Sequence, residues 1–347
     1  HCYQFKVPEY ESYFLSVPSV LKSLEAIYRY DPDRIIISTP GPVGLMGLLA
    51  ARLLGARSIG IYHTDFTRQS IQITGDDAIA GLIENATRWF YSLLDEIWVP
   101  TREYMRDLED RGFDPSRMRL FRRGIDSQLF SPDASGRNFL QNTFGVQPGI
   151  NLLYVGRISI DKNLGFLADL YRRLLARRDD VNLIVAGDGP YLGALRERLA
   201  GCERVTFTGR LPREILPRIY SGSDLFVFPS TTDTFGMVVL EAQACGVPAV
   251  VSGVGGPREV VVHGETGFVV DDLDLEAWLA TLERAIGLLQ NDPARFAALQ
   301  ERARHHVVSQ CDWEAVLHDV MGEAPLTNTR QDASESGFSI LAAQAAA

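Results

Sequence analysis

The sequence predicts an α/β protein with two domains, each built around a parallel sheet. Short apolar stretches alternate with helical patterns from Arg34 to Phe121, and the alternation restarts at Leu152. This rhythm is typical of parallel sheets with helices on both faces. Between the two runs, around 127–149, the apolar periodicity gives way to Ser, Pro, Asp, Gly and Asn. A hydrophobic fraction of 46% in 347 residues is enough for two cores.

The first predicted domain covers residues 1–130. Its first 33 residues hold aromatic, extended-looking sequence and then a helical pattern over Pro18–Tyr30. The following strands and helices are predicted, in order, at Arg34–Ser38, Val43–Leu54, Ser58–His63, Asp76–Asp95, Ile97–Pro100, Thr101–Arg111 and Met118–Phe121. The aromatic side chains of 86–94, Trp89 among them, are predicted to lie in the core.

A linker is predicted at 131–149, and the second domain at 150–310. Its strands and helices are predicted, in order, at Leu152–Gly156, Leu164–Arg177, Asn182–Gly187, Tyr191–Leu199, Val205–Thr208, Arg213–Tyr220, Leu225–Ser230, Gly236–Cys245, Leu275–Leu289 and Pro293–Ser309. A closing helix is expected within 311–324, at Trp313–Met321, packing back towards the first domain. The tail, 325–347, is polar and then Ala-rich, which predicts disorder.

Composition and charge exclude several classes of protein. The formal net charge of −10 argues against a nucleic-acid-binding protein, which would carry a basic face. No apolar run reaches the roughly 18 residues of a membrane span. The four cysteines have no paired spacing, which indicates a reducing compartment and neither a zinc site nor a disulfide framework. The chain begins at His1 without a methionine, so we expect a fragment of a longer protein.

The centre of the second domain is the segment Thr232–Ala242, where a buried strand leads into a helix. A strand-to-helix loop brings free backbone N–H groups and the positive end of a helix dipole to the carboxyl edge of a sheet, where an anion is favoured. Asp233 lies in this loop and Glu241 lies on the helix. A carboxylate on each side of an anion site suits a ligand that carries both phosphates and hydroxyls.

Three other loops of the second domain are expected at the same edge. Arg157 and Lys162 follow the first strand and combine a planar guanidinium with a compact ammonium group, which together suit a diphosphate. The alternative is an ordinary surface loop that carries charged residues. Gly187 and Gly189 follow the second strand, where a ligand could approach or the chain could simply turn. Arg210 is a weaker candidate, and Gly253–Pro257 is a second glycine-rich helix start suited to phosphate.

Taken together, these motifs resemble the retaining, nucleotide-sugar-dependent glycosyltransferases of the GT-B fold, family 4, also called the group 1 transferases. The resemblance covers roughly residues 34–321, because the order and spacing of all the motifs agree. It implies two Rossmann-like domains facing a cleft, with the acceptor side in the first domain and the donor side in the second.

The resemblance also implies roles for individual residues. The family's Glu-x7-Glu motif aligns on Asp233 and Glu241: its first carboxylate bonds hydroxyls of the donor sugar and its second bonds the nucleotide ribose. Arg157 and Lys162 match its diphosphate-binding pair. The donor-binding set is therefore expected to be Arg157, Lys162, Gly187, Gly189, Arg210, Asp233, Phe235, Gly236, Met237 and Glu241.

In the first domain, His63 ends a strand and matches the family's position near the reacting carbons; the alternative is a structural histidine. His63, Asp233, Arg157 and Lys162 form the implied catalytic set. The implied acceptor side is Gly41, His63, Thr64 and Asp65. Together with the loop Thr39–Gly44 and the turn Arg123–Asp126, the segment Tyr62–Asp65 looks most like the subgroup that glycosylates diacylglycerol-type or phosphoinositide-type lipids, which implies a lipid acceptor and peripheral association with a membrane.

Two features depart from the family pattern. Asp233 is one methylene shorter than the usual glutamate, so it reaches a sugar hydroxyl less easily or favours a differently shaped donor. The family's acceptor domain also opens with a strand and a glycine-rich loop, and neither precedes Arg34. We therefore expect a first domain without its first strand.

The sequence thus predicts a hexosyltransferase that moves a sugar from a nucleoside-diphosphate sugar to an acceptor hydroxyl with retention. We expect it in the cytoplasm or at the inner face of the membrane, with no cofactor and no metal, since cations replace one and no metal-ligand cluster is visible. The alternative from another class is a non-catalytic nucleotide-sugar-binding or scaffold protein. An epimerase or phosphorylase gives no reason for the Asp233 and Glu241 pair, and a dehydrogenase would need a G-x-G-x-x-G after its first strand.

Overall fold

A computed structural model describes residues 3–7, 10–271, 273–314 and 316–317 of the protein. Its two larger sheets are parallel and belong to two successive α/β domains. The elements of the N-terminal domain are β1 (Tyr3–Val7), β2 (Tyr10–Val17), α1 (Val20–Tyr30), β3 (Arg34–Ile37), α2 (Pro42–Leu54), β4 (Arg57–Ile61), α3 (Phe66–Thr74), α4 (Asp77–Ser92), β5 (Glu96–Val99), α5 (Arg102–Asp110) and β6 (Met118–Leu120).

The N-terminal domain has a four-stranded parallel sheet in the order β3-β4-β5-β6. Ahead of β3, the described residues form the antiparallel hairpin β1-β2 and helix α1 rather than a further parallel strand, as the sequence predicted. Helix α3 was not predicted. It begins because Asp65, expected on the acceptor side of the site, accepts a hydrogen bond from the N–H of Arg68 and caps the helix.

The C-terminal domain has a six-stranded parallel sheet in the order β12-β11-β10-β7-β8-β9. Its elements are α6 (Gly136–Phe144), β7 (Ile150–Val155), α7 (Leu164–Leu175), β8 (Val181–Ala186), α8 (Leu192–Arg198), β9 (Val205–Gly209), α9 (Leu216–Ser221), β10 (Leu225–Phe228), α10 (Met237–Ala244), β11 (Ala249–Ser252), α11 (Pro257–Val260), β12 (Gly267–Val270), α12 (Leu275–Asn291) and α13 (Pro293–Cys311). Every residue of β7, β8, β10 and β11 is buried, so these strands lie at the centre of the domain's core.

Residues 131–149, predicted as a linker, contain helix α6. The helix is held by Leu140, which is fully buried, and by a close approach of Gly136 to α9, where a Cβ would lie 2.6 Å from the carbonyl oxygen of Arg218. The pattern missed α6 because Leu140 and a glycine are its only buried positions.

After α13 the chain returns to the N-terminal domain. The N–H of Ile125 donates to the carbonyl oxygen of Cys311 at 2.7 Å, and the N–H of Trp313 donates to that of Ile125 at 3.2 Å. The expected closing helix Trp313–Met321 lies mostly outside the described residues, and the tail 325–347 lies wholly outside them.

Helix α5 joins the two domains through its first turn. The carboxylate of Glu259, in α11, accepts the N–H groups of Arg102 and Glu103 at 3.0 and 2.5 Å. Glu103 in turn accepts the N–H of Gly255 at 3.1 Å. The glycine-rich segment predicted for phosphate thus has one of its N–H groups bonded to a carboxylate of the other domain.

Within the described residues, no helix combines the length and the apolarity that crossing a bilayer requires.

Candidate active site

The loop after β7 carries the first two predicted cations, and the loop after β8 supports it. Gly187 has φ +146° at a point where a Cβ would lie 1.9 Å from the carbonyl oxygen of Gly156. Gly189, with φ +156°, approaches the carbonyl oxygen of Ile158 in the same way, at 2.3 Å. Only glycine permits such close contact in this conformation. Both glycines therefore hold the cation loop in place, and neither lines the cavity described below.

Arg157 and Lys162 converge on one buried carboxylate. Asp161 lies 3.5 Å from the Arg157 guanidinium and 3.3 Å from the Lys162 ammonium, and its side chain is 3% exposed. Burial alone would raise the pKa of Asp161, but the two cations bring it below its usual range. The two cations are thereby held side by side at the carboxyl edge of the sheet.

Lys162 also bonds the first carboxylate of the central motif. Its Nζ donates to Asp233 Oδ2 at 2.7 Å. Burial lowers the pKa of Lys162, but Asp233 and Asp161 outweigh it and raise that pKa overall, so the ammonium stays charged at neutral pH. The loops are tied together nearby: Asn163 donates to the carbonyl oxygen of Pro229 at 2.9 Å, and Thr232 donates to that of Asp161 at 2.9 Å. The structure therefore brings Arg157, Lys162 and Asp233 into one cluster.

Helix α10 begins at the same cluster. Gly236 is its N-cap, in a left-handed conformation with φ +88°, and Phe235, Gly236 and Met237 line the cavity as predicted residues of the set. The first N–H groups of a helix have no carbonyl partner within it, and the helix dipole is positive at that end. The beginning of α10 is thus suited to an anion held by Arg157 and Lys162.

Glu241, the second carboxylate of the motif, lies on α10 and does not line the cavity. Its Oε2 accepts a hydrogen bond from the hydroxyl of the buried Tyr220 at 2.8 Å. Burial raises the pKa of Glu241 to about 7, although the bond to Tyr220 and the charge of Arg213 oppose the shift. Only the ionised form of this carboxylate can accept hydrogen bonds at both of its oxygens, and the raised pKa therefore makes its acceptor strength sensitive to pH near neutrality.

The N-terminal domain contributes His63 and Arg123 to the cavity. Thr234 donates a hydrogen bond to the carbonyl oxygen of His63 at 2.8 Å, which ties the histidine's loop to the central motif. Burial, reinforced by the charge of Arg123, lowers the pKa of His63 to about 4, so its ring is neutral at pH 7.

The other predicted residues lie elsewhere. Asp65 forms ion pairs with Arg111 at 3.1 Å and Arg68 at 3.5 Å, and its side chain is fully buried. Gly41 is the N-cap of α2, and Arg210 is exposed. Gly41, Thr64, Asp65 and Arg210 are not among the lining residues of the cavity.

The cavity has a volume of about 180 Å³, lies between the domains and is lined by His63, Arg123, Arg157, Lys162 and Asp233, among others. Sequence reasoning did not assign Arg123, Tyr154, Phe228 and Thr234 to it. Tyr154 and Phe228 were hidden inside apolar strands, where nothing distinguishes a lining aromatic ring from a core one; their rings stack at 5.9 Å. Arg123 follows the last strand of its domain, in the turn Arg123–Asp126, which resembles a family loop but was given no role at the site.

Among the residues that the structure describes, no group of three or more His, Cys, Asp or Glu side chains is placed to hold a metal ion. Metal independence itself remains a prediction.

Both domains match known protein families. Residues 149–287 match the family model described as "Glycosyl transferases group 1", and residues 2–129 match "Glycosyltransferase Family 4". The two matches lie on successive domains of one chain, and together they support a glycosyltransferase. They do not favour the non-catalytic alternative.

Individual relatives agree with these matches. Sulfoquinovosyl transferase SQD2 of Arabidopsis thaliana is 28% identical over 92% of this chain and 61% of its own length. The GDP-mannose-dependent alpha-(1-6)-phosphatidylinositol monomannoside mannosyltransferase of Mycolicibacterium smegmatis is 29% identical over 86% of this chain and 77% of its own. The chain thus spans about three fifths of the plant relative and about three quarters of the bacterial one.

Solved structures agree on the architecture. The Anabaena protein HepE, in complex with UDP and glucose, matches with a TM-score of 0.71 and 21% identity over 87% of this chain and 79% of its own. Sucrose-phosphate synthase from Thermosynechococcus elongatus matches with a TM-score of 0.70 and 24% identity over 92% of this chain and 80% of its own. The two parallel-sheet domains therefore have the GT-B arrangement.

Proposed function

Taking the chain as a group 1, family 4 glycosyltransferase with the GT-B fold, we propose that it transfers a sugar from a nucleoside-diphosphate sugar to an acceptor hydroxyl with retention of configuration. The observation that carries the proposal is the cluster of Arg157, Lys162 and Asp233 at the first turn of α10, opposite His63. It combines positive charge for a leaving diphosphate with a carboxylate for a sugar hydroxyl.

The cavity suits the reacting end of such a donor. Its volume of about 180 Å³ is below that of pockets which enclose a drug-sized ligand, so it matches the sugar and its phosphates rather than the whole nucleotide. Glu241 lies outside the cavity on the same helix, where it would accept hydrogen bonds from the ribose.

The step requires little covalent chemistry from the protein. The bond between C1 of the sugar and the phosphate oxygen breaks, and its electron pair leaves with the diphosphate. The acceptor oxygen forms the new bond to C1 on the same face, and its proton passes to the departing phosphate. Arg157, Lys162 and the N–H groups of α10 stabilise the charge that develops on that phosphate, and the neutral His63 lies at the reacting side.

The proposed acceptor is the hydroxyl of a membrane lipid. The name of the mycobacterial relative gives a phosphatidylinositol mannoside as its acceptor, and the loops around His63 resemble those of lipid-glycosylating enzymes. Leu82 and Trp89 of α4 support contact with a bilayer, because both are large apolar side chains exposed at 71% and 57%. The prediction that Trp89 lies in the core was therefore wrong, whereas its neighbours Phe90 and Tyr91 are buried.

The first experiment is a calorimetric titration with UDP, GDP and ADP in turn, with and without magnesium. Binding of one nucleotide in the absence of magnesium would support the donor site and identify its base. Turnover of the corresponding nucleotide sugars then tests the reaction, and NMR of the product's anomeric carbon tests retention. Failure of all three nucleotides to bind would contradict the proposal.

A further inference from the structure

Arg123, from the N-terminal domain, lines the cavity together with Arg157 and Lys162. The residue follows β6 and is half-buried. Burial lowers the pKa of its guanidinium, and the negative charge of Asp233 acts against that shift. Among the residues that the structure describes, no acceptor forms a hydrogen bond or an ion pair with this guanidinium. A partly buried cation without a protein partner is costly, which points to a ligand that supplies one.

The charges of the cavity explain why this cation matters. Arg157 and Lys162 already face two carboxylates, Asp161 at 3.5 and 3.3 Å and Asp233 at 2.7 Å from Lys162. These four groups carry no net charge, and His63 is neutral at pH 7. Arg123 therefore supplies the one net positive charge of the cavity. A departing diphosphate is an anion, so the residue with the uncompensated charge is the one best placed to stabilise it.

The backbone around Arg123 is fixed where the chain crosses between domains. Ile125, two residues on, exchanges hydrogen bonds with Cys311 and Trp313 at 2.7 and 3.2 Å. Gly124 lies against the Trp313 ring, where a Cβ would come within 2.5 Å. The position of Arg123 thus depends on the same contacts that hold the N-terminal domain against the returning chain.

Its neighbour Arg122 differs in every relevant respect. Arg122 is exposed and does not line the cavity. Burial lowers the pKa of His306 and raises that of Cys311, both on α13, and the charge of Arg122 adds to the first shift and opposes the second. The two adjacent arginines therefore form a natural pair for comparison: one faces the cavity and the other faces away from it.

We propose that Arg123 is a catalytic residue whose guanidinium binds the distal phosphate of the nucleoside diphosphate from the N-terminal domain. The inference rests on the proposed function and deepens it. As the bond between C1 and the phosphate oxygen breaks, the electron pair collects on the phosphate that Arg123 contacts. The diphosphate is then held by cations of both domains, so full stabilisation of the leaving group requires the domains to be together.

The test compares Arg123→Gln, Arg123→Lys and Arg122→Gln in the full chain, each titrated with the nucleoside monophosphate and diphosphate of the base that binds the wild type. Arg123→Gln should weaken diphosphate binding about tenfold and leave monophosphate binding within about twofold, because only the diphosphate carries the distal phosphate. Arg123→Lys should recover part of the loss by restoring a charge, and Arg122→Gln should bind both nucleotides as the wild type does. The kcat of Arg123→Gln should fall by more than its diphosphate affinity, about 100-fold, since the charge grows in the transition state.

Equal diphosphate affinity in Arg123→Gln and the wild type would overturn the inference while leaving the proposed function intact. A rise in KM for the acceptor alone would also overturn it, because Arg123 would then bind the acceptor. Absence of diphosphate binding in the wild type would remove the proposed function, and this inference with it.

Discussion

The two domains build their parts of the site in different ways. In the C-terminal domain, β7, β8, β10 and β11 are buried along their whole length, and Arg157, Lys162 and Asp233 are arranged by contacts within that domain. In the N-terminal domain, α1 has no buried residue and β3 has only one. His63 is held by a hydrogen bond from Thr234, and the backbone next to Arg123 is held by the bonds of Ile125 to Cys311, at the end of α13, and to Trp313.

The difference teaches that binding and turnover should be separable. Contacts within the C-terminal domain arrange Arg157, Lys162 and Asp233, whereas His63 and Arg123 join them only where the domains meet. Changes in the C-terminal cluster should therefore weaken nucleotide binding and turnover together. Changes in the N-terminal domain should affect stability, turnover or membrane contact while nucleotide binding persists, except at Arg123, whose loss should weaken binding of the diphosphate but not of the monophosphate.

The largest effect is expected from Lys162→Ala. The change removes the ammonium that bonds Asp233 and leaves Asp161 paired with Arg157 alone. We expect kcat/KM for the nucleotide sugar to fall by about 100- to 1,000-fold, the size of effect seen when one transition-state contact to a developing anion is lost. Calorimetry should also show weaker diphosphate binding.

Lys22→Ala is the matched control, because Lys22 is an exposed lysine of α1. It should leave both quantities unchanged. A Lys162→Ala protein that binds the diphosphate as tightly as the wild type would contradict the assignment of the cluster to the phosphates.

The next largest effect is expected from Asp65→Asn, on stability rather than on binding. Asp65 is buried and pairs with Arg111 and Arg68, and Arg111 also contacts Glu84 and Asp107. Removing the Asp65 charge leaves the positive charge of Arg111 only partly neutralised. This should lower the free energy of unfolding by about 2–3 kcal/mol. Urea denaturation followed by tryptophan fluorescence measures it, and nucleotide affinity should stay within about twofold.

Asp114→Asn serves as the control, since Asp114 also precedes a short helix and pairs with an arginine three residues on, but is exposed. It should unfold at the same urea concentration as the wild type. If Asp65→Asn kept full stability but lost acceptor binding, Asp65 would lie on the acceptor side, as the family resemblance implies.

The sequence predicted the site residues of the C-terminal domain better than the contacts of the N-terminal domain. Most of the alternation of strands and helices was predicted in both, because it depends on local periodicity, but helices α3 and α6 and strands β11 and β12 were not predicted. The cluster of Arg157, Lys162 and Asp233 could also be predicted from the sequence, because parallel strands bring their carboxyl ends to one edge of the sheet. Asp65 could not be assigned from the sequence, since only the fold shows that Arg111, 46 residues away, is its partner. The interaction of Glu103 with Gly255 and Glu259 was equally hidden, because it joins residues of different domains.

A smaller, pH-dependent effect is expected at Glu241. Ribose hydroxyls donate to an ionised carboxylate, so nucleotide binding should favour the deprotonated form. Because the pKa of Glu241 is raised to about 7, the affinity should increase between pH 6 and pH 8 and then level off. Glu241→Gln should remove this dependence and weaken binding about tenfold at pH 8, as measured by calorimetry.

The same raised pKa has an opposite consequence for the free protein. The folded state holds the Glu241 proton more tightly than the unfolded state does, so its contribution to stability is present below about pH 4.5 and declines as the pH rises to about 7. The Tm of Glu241→Gln, relative to that of the wild type, should therefore be higher at pH 8 than at pH 5. Glu301→Gln, at an exposed position of α13, should show neither effect.

The smallest effect is expected on membrane contact. Leu82 and Trp89 are seven residues apart on α4, so they lie on one face of the helix, and both are exposed. If this face enters the bilayer interface, Leu82→Ser and Trp89→Ser should each weaken sedimentation with phospholipid vesicles about fivefold, since each loses roughly 1 kcal/mol of apolar burial.

Leu273→Ser, at an exposed leucine of the C-terminal domain, should sediment as the wild type does. Nucleotide affinity should be unchanged in all three variants, because none of these side chains lines the cavity. Equal sedimentation of all the proteins would mean that α4 does not contact the bilayer, and a lipid acceptor would then have to reach His63 by another surface of the N-terminal domain.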